Sequence, residues 1–178
     1  MTRNSRRLIA LIASAVLLAS CSTKLDKNTA EKDIRGWSWF KRGKMTCSVR
    51  FSQQSDKKWT YTSADESCVR SLAKAGLARY DYKDEIHATE TSWFDKSNLA
   101  FDCASVKFLE VTSITTEGNK ASARYKRDVV HYEQLLATIS DCKVDKPDNG
   151  VAERQTHFTR DDAGKWTSDW PEAVVAER

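Results

Sequence analysis

The chain has 178 residues, 29 basic and 25 acidic, a length that suits one domain or two small subdomains sharing a core. Three of the basic residues are Arg3, Arg6 and Arg7. Without residues 1–20, which carry no acid, 158 residues remain with 26 basic and 25 acidic side chains, so a basic-patch argument for nucleic acid loses its footing.

In chain order, a basic start gives way to Leu8–Leu18, eleven residues broken only by Ser14. That run is too short for a mature membrane-spanning helix, which needs about 20 residues. A charged start, a short apolar centre and small residues at the end make an export signal, not a fold element. Leu18-Ala19-Ser20-Cys21 closes it, and the segment resembles the bacterial lipoprotein signal with its lipobox. The resemblance implies a diacylglyceryl group on the Cys21 thiol, removal of residues 1–20 and acylation of the new N-terminus. Ser22, rather than Asp, follows the cysteine. By the sorting rule of enteric lipoproteins this implies the outer membrane, with the body facing the periplasm. The competing reading is an ordinary cleavable signal with Cys21 incidental.

Residues 21–43 read as a lipidated tether, polar from Ser22 to Lys32, with room for one or two helical turns around Thr29 to Arg35. It ends in an aromatic and basic cluster. Trp37, Trp39 and Phe40 lie between Arg35, Lys41 and Arg42, a composition that suits a membrane or partner contact. Large aromatics also pack inward, and the first element of a core is the other reading.

Met45 to Gln53 alternates as a strand with Cys47, Val49 and Phe51 on one face. A turn at Ser55 to Lys57 leads to Trp59 and Tyr61 at period two. Ser63-Ala64-Asp65-Glu66 fits a capping box. A helix follows with Cys68, Val69, Leu72 and Ala73 along one side and Gly76 as its left-handed stop. Leu77 to Tyr82 and Ile86 to Thr91 read as strands. The string Leu72-Ala-Lys-Ala-Gly-Leu77 with Tyr80 resembles the end of a recognition helix and the first wing of a winged-helix domain, over residues 63–91. That resemblance implies a fold, not DNA binding, in an exported protein of balanced charge. Trp93-Phe94 and Leu99 to Phe101 supply buried surface around a turn at Asp95 to Asn98.

Val106 to Thr116 is rich in strand formers. Glu117 to Lys120 forms a hairpin loop, and Ala121 to Val130 returns with Ala123, Tyr125 and Arg127 on one side. His131 to Ser140 reads as a helix, Pro147 to Gly150 as a turn, and Val151 to Arg160 as a strand. A final turn at Asp161 to Gly164 leads into Trp166, and 171–178 is a loose tail. The expected fold class is α+β, mainly antiparallel sheet with two or three short helices. Two halves, 44–100 and 101–170, pack as one unit.

With Cys21 set aside, Cys47, Cys68, Cys103 and Cys142 make an even set, which in an oxidising compartment implies two disulfides. Three pairings exist. Cys47–Cys68 with Cys103–Cys142 is favoured because each bridge would staple one half, adding roughly 3–4 kcal/mol. Long irregular intervals without CxxC argue against zinc, and against redox exchange.

Catalytic templates find little. Ser71 and Lys74 have Ser-x-x-Lys spacing, but the companion motifs are missing and both read as a solvated helix face. His87, His131 and His157 are never at ligand spacing, although Asp84, Glu85 and His87 form a local polar group. Asp145 to Gly150 mimics a calcium loop, but Pro147 stands where an oxygen ligand is needed. Asp161 and Asp162 read as turn residues. The expectation is a non-catalytic, membrane-anchored module that binds a protein partner, of immunity, inhibitor or envelope-accessory type, with no cofactor beyond the lipid and no nucleic acid. A structural envelope lipoprotein or an unrecognised hydrolase are the alternatives.

Overall fold

The computed structural model describes residues 24–53, 59–62, 65–81, 85–95 and 97–169. Cys21 and the lipobox, the turn at 55–57, Ser63, Tyr82, Asp84 and the tail at 171–178 lie outside these residues.

Among the described residues, four short helices, α1 (Lys27–Arg35), α2 (Ser38–Arg42), α3 (Glu66–Lys74) and α4 (Glu133–Thr138), accompany eleven strands. The strands are β1 (Lys44–Arg50), β2 (Ser52–Gln53), β3 (Trp59–Thr60), β4 (Ala78–Tyr80), β5 (Ile86–Ala88), β6 (Ser92–Asp95), β7 (Asn98–Glu117), β8 (Lys120–His131), β9 (Val144–Asp145), β10 (Gly150–Arg160) and β11 (Trp166–Ser168). The main sheet runs β11-β10-β8-β7-β1-β9, with β6 also paired to β7. Every ladder in it is antiparallel, as are the two-stranded sheets β2-β3 and β4-β5.

The tether begins to pack earlier than expected. Asp26 caps α1 by accepting from the Thr29 amide at 3.0 Å and the Thr29 hydroxyl at 2.6 Å. Ala30 and Ile34, one turn apart, then share a face and are fully buried. Leu25 is buried too, so the body starts near residue 25 and not at 44. Gly43, at φ 66°, ends α2 in the left-handed region and turns the chain into β1.

The boundary at residue 100 also fails, because it falls inside β7. Leu99 to Phe101 and Val106 to Thr116 belong to one twenty-residue strand, accommodated by irregular register at Phe108/Glu110 and Val111/Ser113 against β8. Its first part pairs with β1, matching Cys47 with Phe101 and Val49 with Leu99. One sheet therefore crosses both expected halves.

The helix expected from Ser63 is α3, with Cys68, Val69 and Leu72 buried. Gly76 stops it at φ 72°, while the Leu77 amide donates to the Leu72 carbonyl at 2.9 Å. Glu66 pairs with Arg70 one turn on, while Ser63, its expected partner in a capping box, lies outside the described residues. The helix expected at His131 starts two residues later. His131 is the buried last residue of β8.

One face of the long strands is core. Ala121, Ala123, Tyr125, Arg127 and Val129 of β8 are all buried, as are Thr156 and Phe158 of β10. The alternate residues Arg124, Val130, Val151, Glu153 and Gln155 are exposed. That is the period-two signature of a sheet covered on one side.

The disulfides join Cys47 to Cys103 and Cys68 to Cys142, with Cα separations of 5.6 and 4.6 Å. This corrects the pairing favoured from local stapling. β1 lies beside β7, and Cys103 falls where the ladder shifts, between the pairs Met45–Ala104 and Thr46–Asp102. Neighbouring strands, and not neighbouring sequence, bring the thiols together.

Candidate functional site

The aromatic cluster is not a free contact surface. Trp37 is 3% exposed and Trp39 7%. Trp37 meets the Tyr125 ring edge-on at 5.6 Å, and Phe40, half-buried, does the same to Phe108 at 5.6 Å. Of the flanking cations, Arg35 lies over the Phe108 ring at 4.3 Å and Arg42 faces Asp102 at 3.6 Å. The reason is geometric: α2 lies on the inner side of the sheet, so the rings fill the core that the aliphatic residues leave open. Trp37 Nε1 donates to Ser168 Oγ at 3.0 Å, and the Ser168 hydroxyl donates to Asp33 Oδ2. This relay ties α1 to the last strand.

Ser71 is buried and donates to Asp141 Oδ2 at 2.6 Å, while Lys74 is exposed. The two do not share the solvated face expected of them, and Ser71 is already engaged. His131 uses Nε2 on the Pro147 carbonyl at 2.8 Å, and its amide donates to Asn149 Oδ1. These bonds hold the 147–149 loop against the end of β8, where the calcium-like string lies.

Two polar groups come together that spacing alone did not show. His157 Nδ1 and Ser122 Oγ are 2.9 Å apart because β10 pairs with β8 in register at that position. They border an open cleft of about 470 Å³ with Asp169 on its wall. Asp169 touches His157 through its backbone amide, which donates to the His157 carbonyl at 2.7 Å. Nucleophilic activation needs a base oriented by a third group and donors aimed at a developing oxyanion. Among the described residues, Ser122 is the side chain that bonds the His157 ring, and no third group is seen to orient it. At the β4-β5 hairpin, Asp81, Glu85 and His87 hold ligand-type atoms within 4.8 Å of one another, and His87 Nε2 is 3.7 Å from Asp81 Oδ2. Glu85 and His87 belong to the polar group that the sequence suggested, and Asp81 joins them; Asp84 lies outside the described residues.

The most unusual group is Arg127, only 6% exposed on the core face of β8. Its Nη1 reaches Met45 Sδ at 3.5 Å, a weak acceptor, and its guanidinium carbon sits 5.6 Å from the Trp39 ring centre. Arg127 Nε and Trp39 Nε1 are both buried without a hydrogen-bond partner among the described residues. Burial pulls the Arg127 pKa below the ordinary arginine range. Tyr125 opposes that shift, Arg154 adds to it, and Asp148 opposes it least. Asp148 is itself ion-paired to Arg154. An unpaired buried charge costs several kcal/mol even after relaxation, which cation–π attraction of about 1–2 kcal/mol offsets only in part. The sequence signal was present: Arg127 interrupts an inward-facing row of Ala121, Ala123, Tyr125 and Val129.

Among the described residues no helix is long and apolar enough to cross a membrane. Comparison with known proteins returned no matching family model, no matching curated protein and no matching solved structure.

Proposed function

We propose that the chain is a lipid-anchored envelope lipoprotein, attached through Cys21 to the outer membrane, whose periplasm-facing body binds a protein partner without catalysing a reaction. One observation carries the reading. Both disulfides close among Cys47, Cys68, Cys103 and Cys142, which leaves Cys21 outside either bridge, as a lipobox cysteine requires. A twice-bridged body also suits the oxidising side of a membrane.

Binding is supported by the outer face of the long strands. Val130 is 55% exposed and Val151 62%, with Tyr132 also exposed nearby in the chain. Asp128 pairs in register with Val151, so the two valines lie diagonally on one face. A membrane tether raises the effective concentration of such a surface near envelope partners, so modest affinity suffices.

The test has two arms. Cys21→Ser should abolish lipid attachment, read by mass spectrometry of the mature N-terminus, and release the body from membranes. Unchanged N-terminal trimming and unchanged membrane association would refute the anchor. Cross-linking and capture from envelopes should then yield one stoichiometric partner, lost in a Val130→Asp, Val151→Asp double variant of unaltered melting temperature. Diffuse recovery, indifferent to that variant, would overturn the binding role.

A further inference from the structure

We propose that Arg127 anchors an oxyanion-binding site beneath α2, in which a carboxylate or phosphate oxygen accepts from Arg127 Nε and Trp39 Nε1. The inference is independent of the lipid anchor and of the exposed valine face.

Three features of the site point to an anion. First, both donors belong to side chains more than nine-tenths buried, and neither has an acceptor among the described residues. An unpartnered indole alone would say little, since Trp166 Nε1 is in the same condition. A desolvated guanidinium is different, because it stays charged and its N–H groups are arranged to fork onto an oxyanion. Second, the partners Arg127 does have are poor ones. A thioether sulfur and an aromatic face stabilise a cation but leave its Nε–H unsatisfied. Third, the local charge is unbalanced. Arg154 stands on β10, the strand beside β8, with its register partner Tyr125 two residues from Arg127. Asp148, a carboxylate whose charge favours the Arg127 cation, is itself paired with Arg154.

The elements around the site also define its limits. Trp39 comes from α2, Met45 from β1 and Arg127 from β8, so the site forms only when the helix is docked. Both donor atoms are buried, so the site would hold a small oxyanion or the tip of a longer acid, not a broad surface. The shared chemistry is the oxyanion, and carboxylate and phosphate are separated by experiment.

The test is a titration of the whole chain in a maltoside detergent, followed by nitrogen–proton spectra of the tryptophan indoles and of arginine Nε–H. The Trp39 resonance is assigned with Trp39→Phe. Acetate and inorganic phosphate are added separately, each against sodium chloride at equal ionic strength. The expected result is a saturable shift of the Trp39 indole and the Arg127 Nε–H with one of the two anions, half-complete near about 1 mM. Arg127→Met should weaken it at least about tenfold, and Trp39→Phe should weaken it measurably. The stronger anion identifies the ligand class. If neither resonance moves, or chloride moves them equally, the proposal is wrong. Binding unchanged in Trp39→Phe would remove the indole from the site. Should Arg127→Met fail to fold, the parent chain's own titration against chloride still decides.

Discussion

Cys47 of β1 is bonded to Cys103 of β7, although 56 residues separate them in sequence and Cys68 is far nearer in sequence to Cys47. The bridge cross-links two adjacent strands that the main sheet already pairs, while Cys68–Cys142 ties α3 to the turn after α4. Each loop is long, with separations of 56 and 74 residues, so each bridge restricts the unfolded chain substantially.

Removing either bridge by paired Cys→Ala substitution should cost about 4 kcal/mol on the chain-entropy account. Denaturant unfolding under non-reducing conditions measures it. A peptide map of the intact protein should recover Cys47 with Cys103, and Cys68 with Cys142. Recovery of Cys47 with Cys68 would contradict the fold.

Ile34→Ala should destabilise the body by about 2–5 kcal/mol, because α1 is packed and not a free tether. Lys27→Ala, on the exposed side, should stay within about 0.5 kcal/mol. Thermal melting compares the two. Equal, negligible effects would return residues 27–35 to the tether.

Trp37→Phe and Ser168→Ala should be coupled, since Ser168 accepts from the indole and donates to Asp33. Each alone should cost about 1–2 kcal/mol. In a double-mutant cycle the interaction should be at least about 0.5 kcal/mol, whereas strict additivity would dissolve the relay.

Tyr125 sets an alkaline limit. Burial raises its phenol pKa above the ordinary 10.0, and Arg127 and Arg154 pull the other way without cancelling the effect. The unfolded chain therefore releases this proton first as pH rises past 10. The native state binds more protons there, so stability is fully present below pH 10 and declines above it. In Tyr125→Phe the decline between pH 10 and 11 should be shallower than in the parent, measured by urea midpoints. Identical slopes would show that Tyr125 ionises as freely folded as unfolded.

Local signals in the sequence located much of the sheet. Alternation from Ala121 to Val129, the loop at Gly118 and Asn119, and the closing turn before Trp166 all became β7-β8 and β10-β11 pairing. Gly76 ended α3 as its position promised. These features rest on neighbours within a few residues, where turn chemistry and side-chain period suffice.

What the amino-acid order determined by itself was which residues share a face and where the chain reverses. It also held four cysteines besides Cys21. Only the tertiary structure decided what covers each face and which strand lies beside which. That is why Trp37 and Trp39 turned inward, why His131 closed a strand, and why Cys47 met Cys103. Period two tells that Arg127 points the same way as Tyr125. It cannot tell that α2 closes over them, and that desolvation is what gives the arginine its interest.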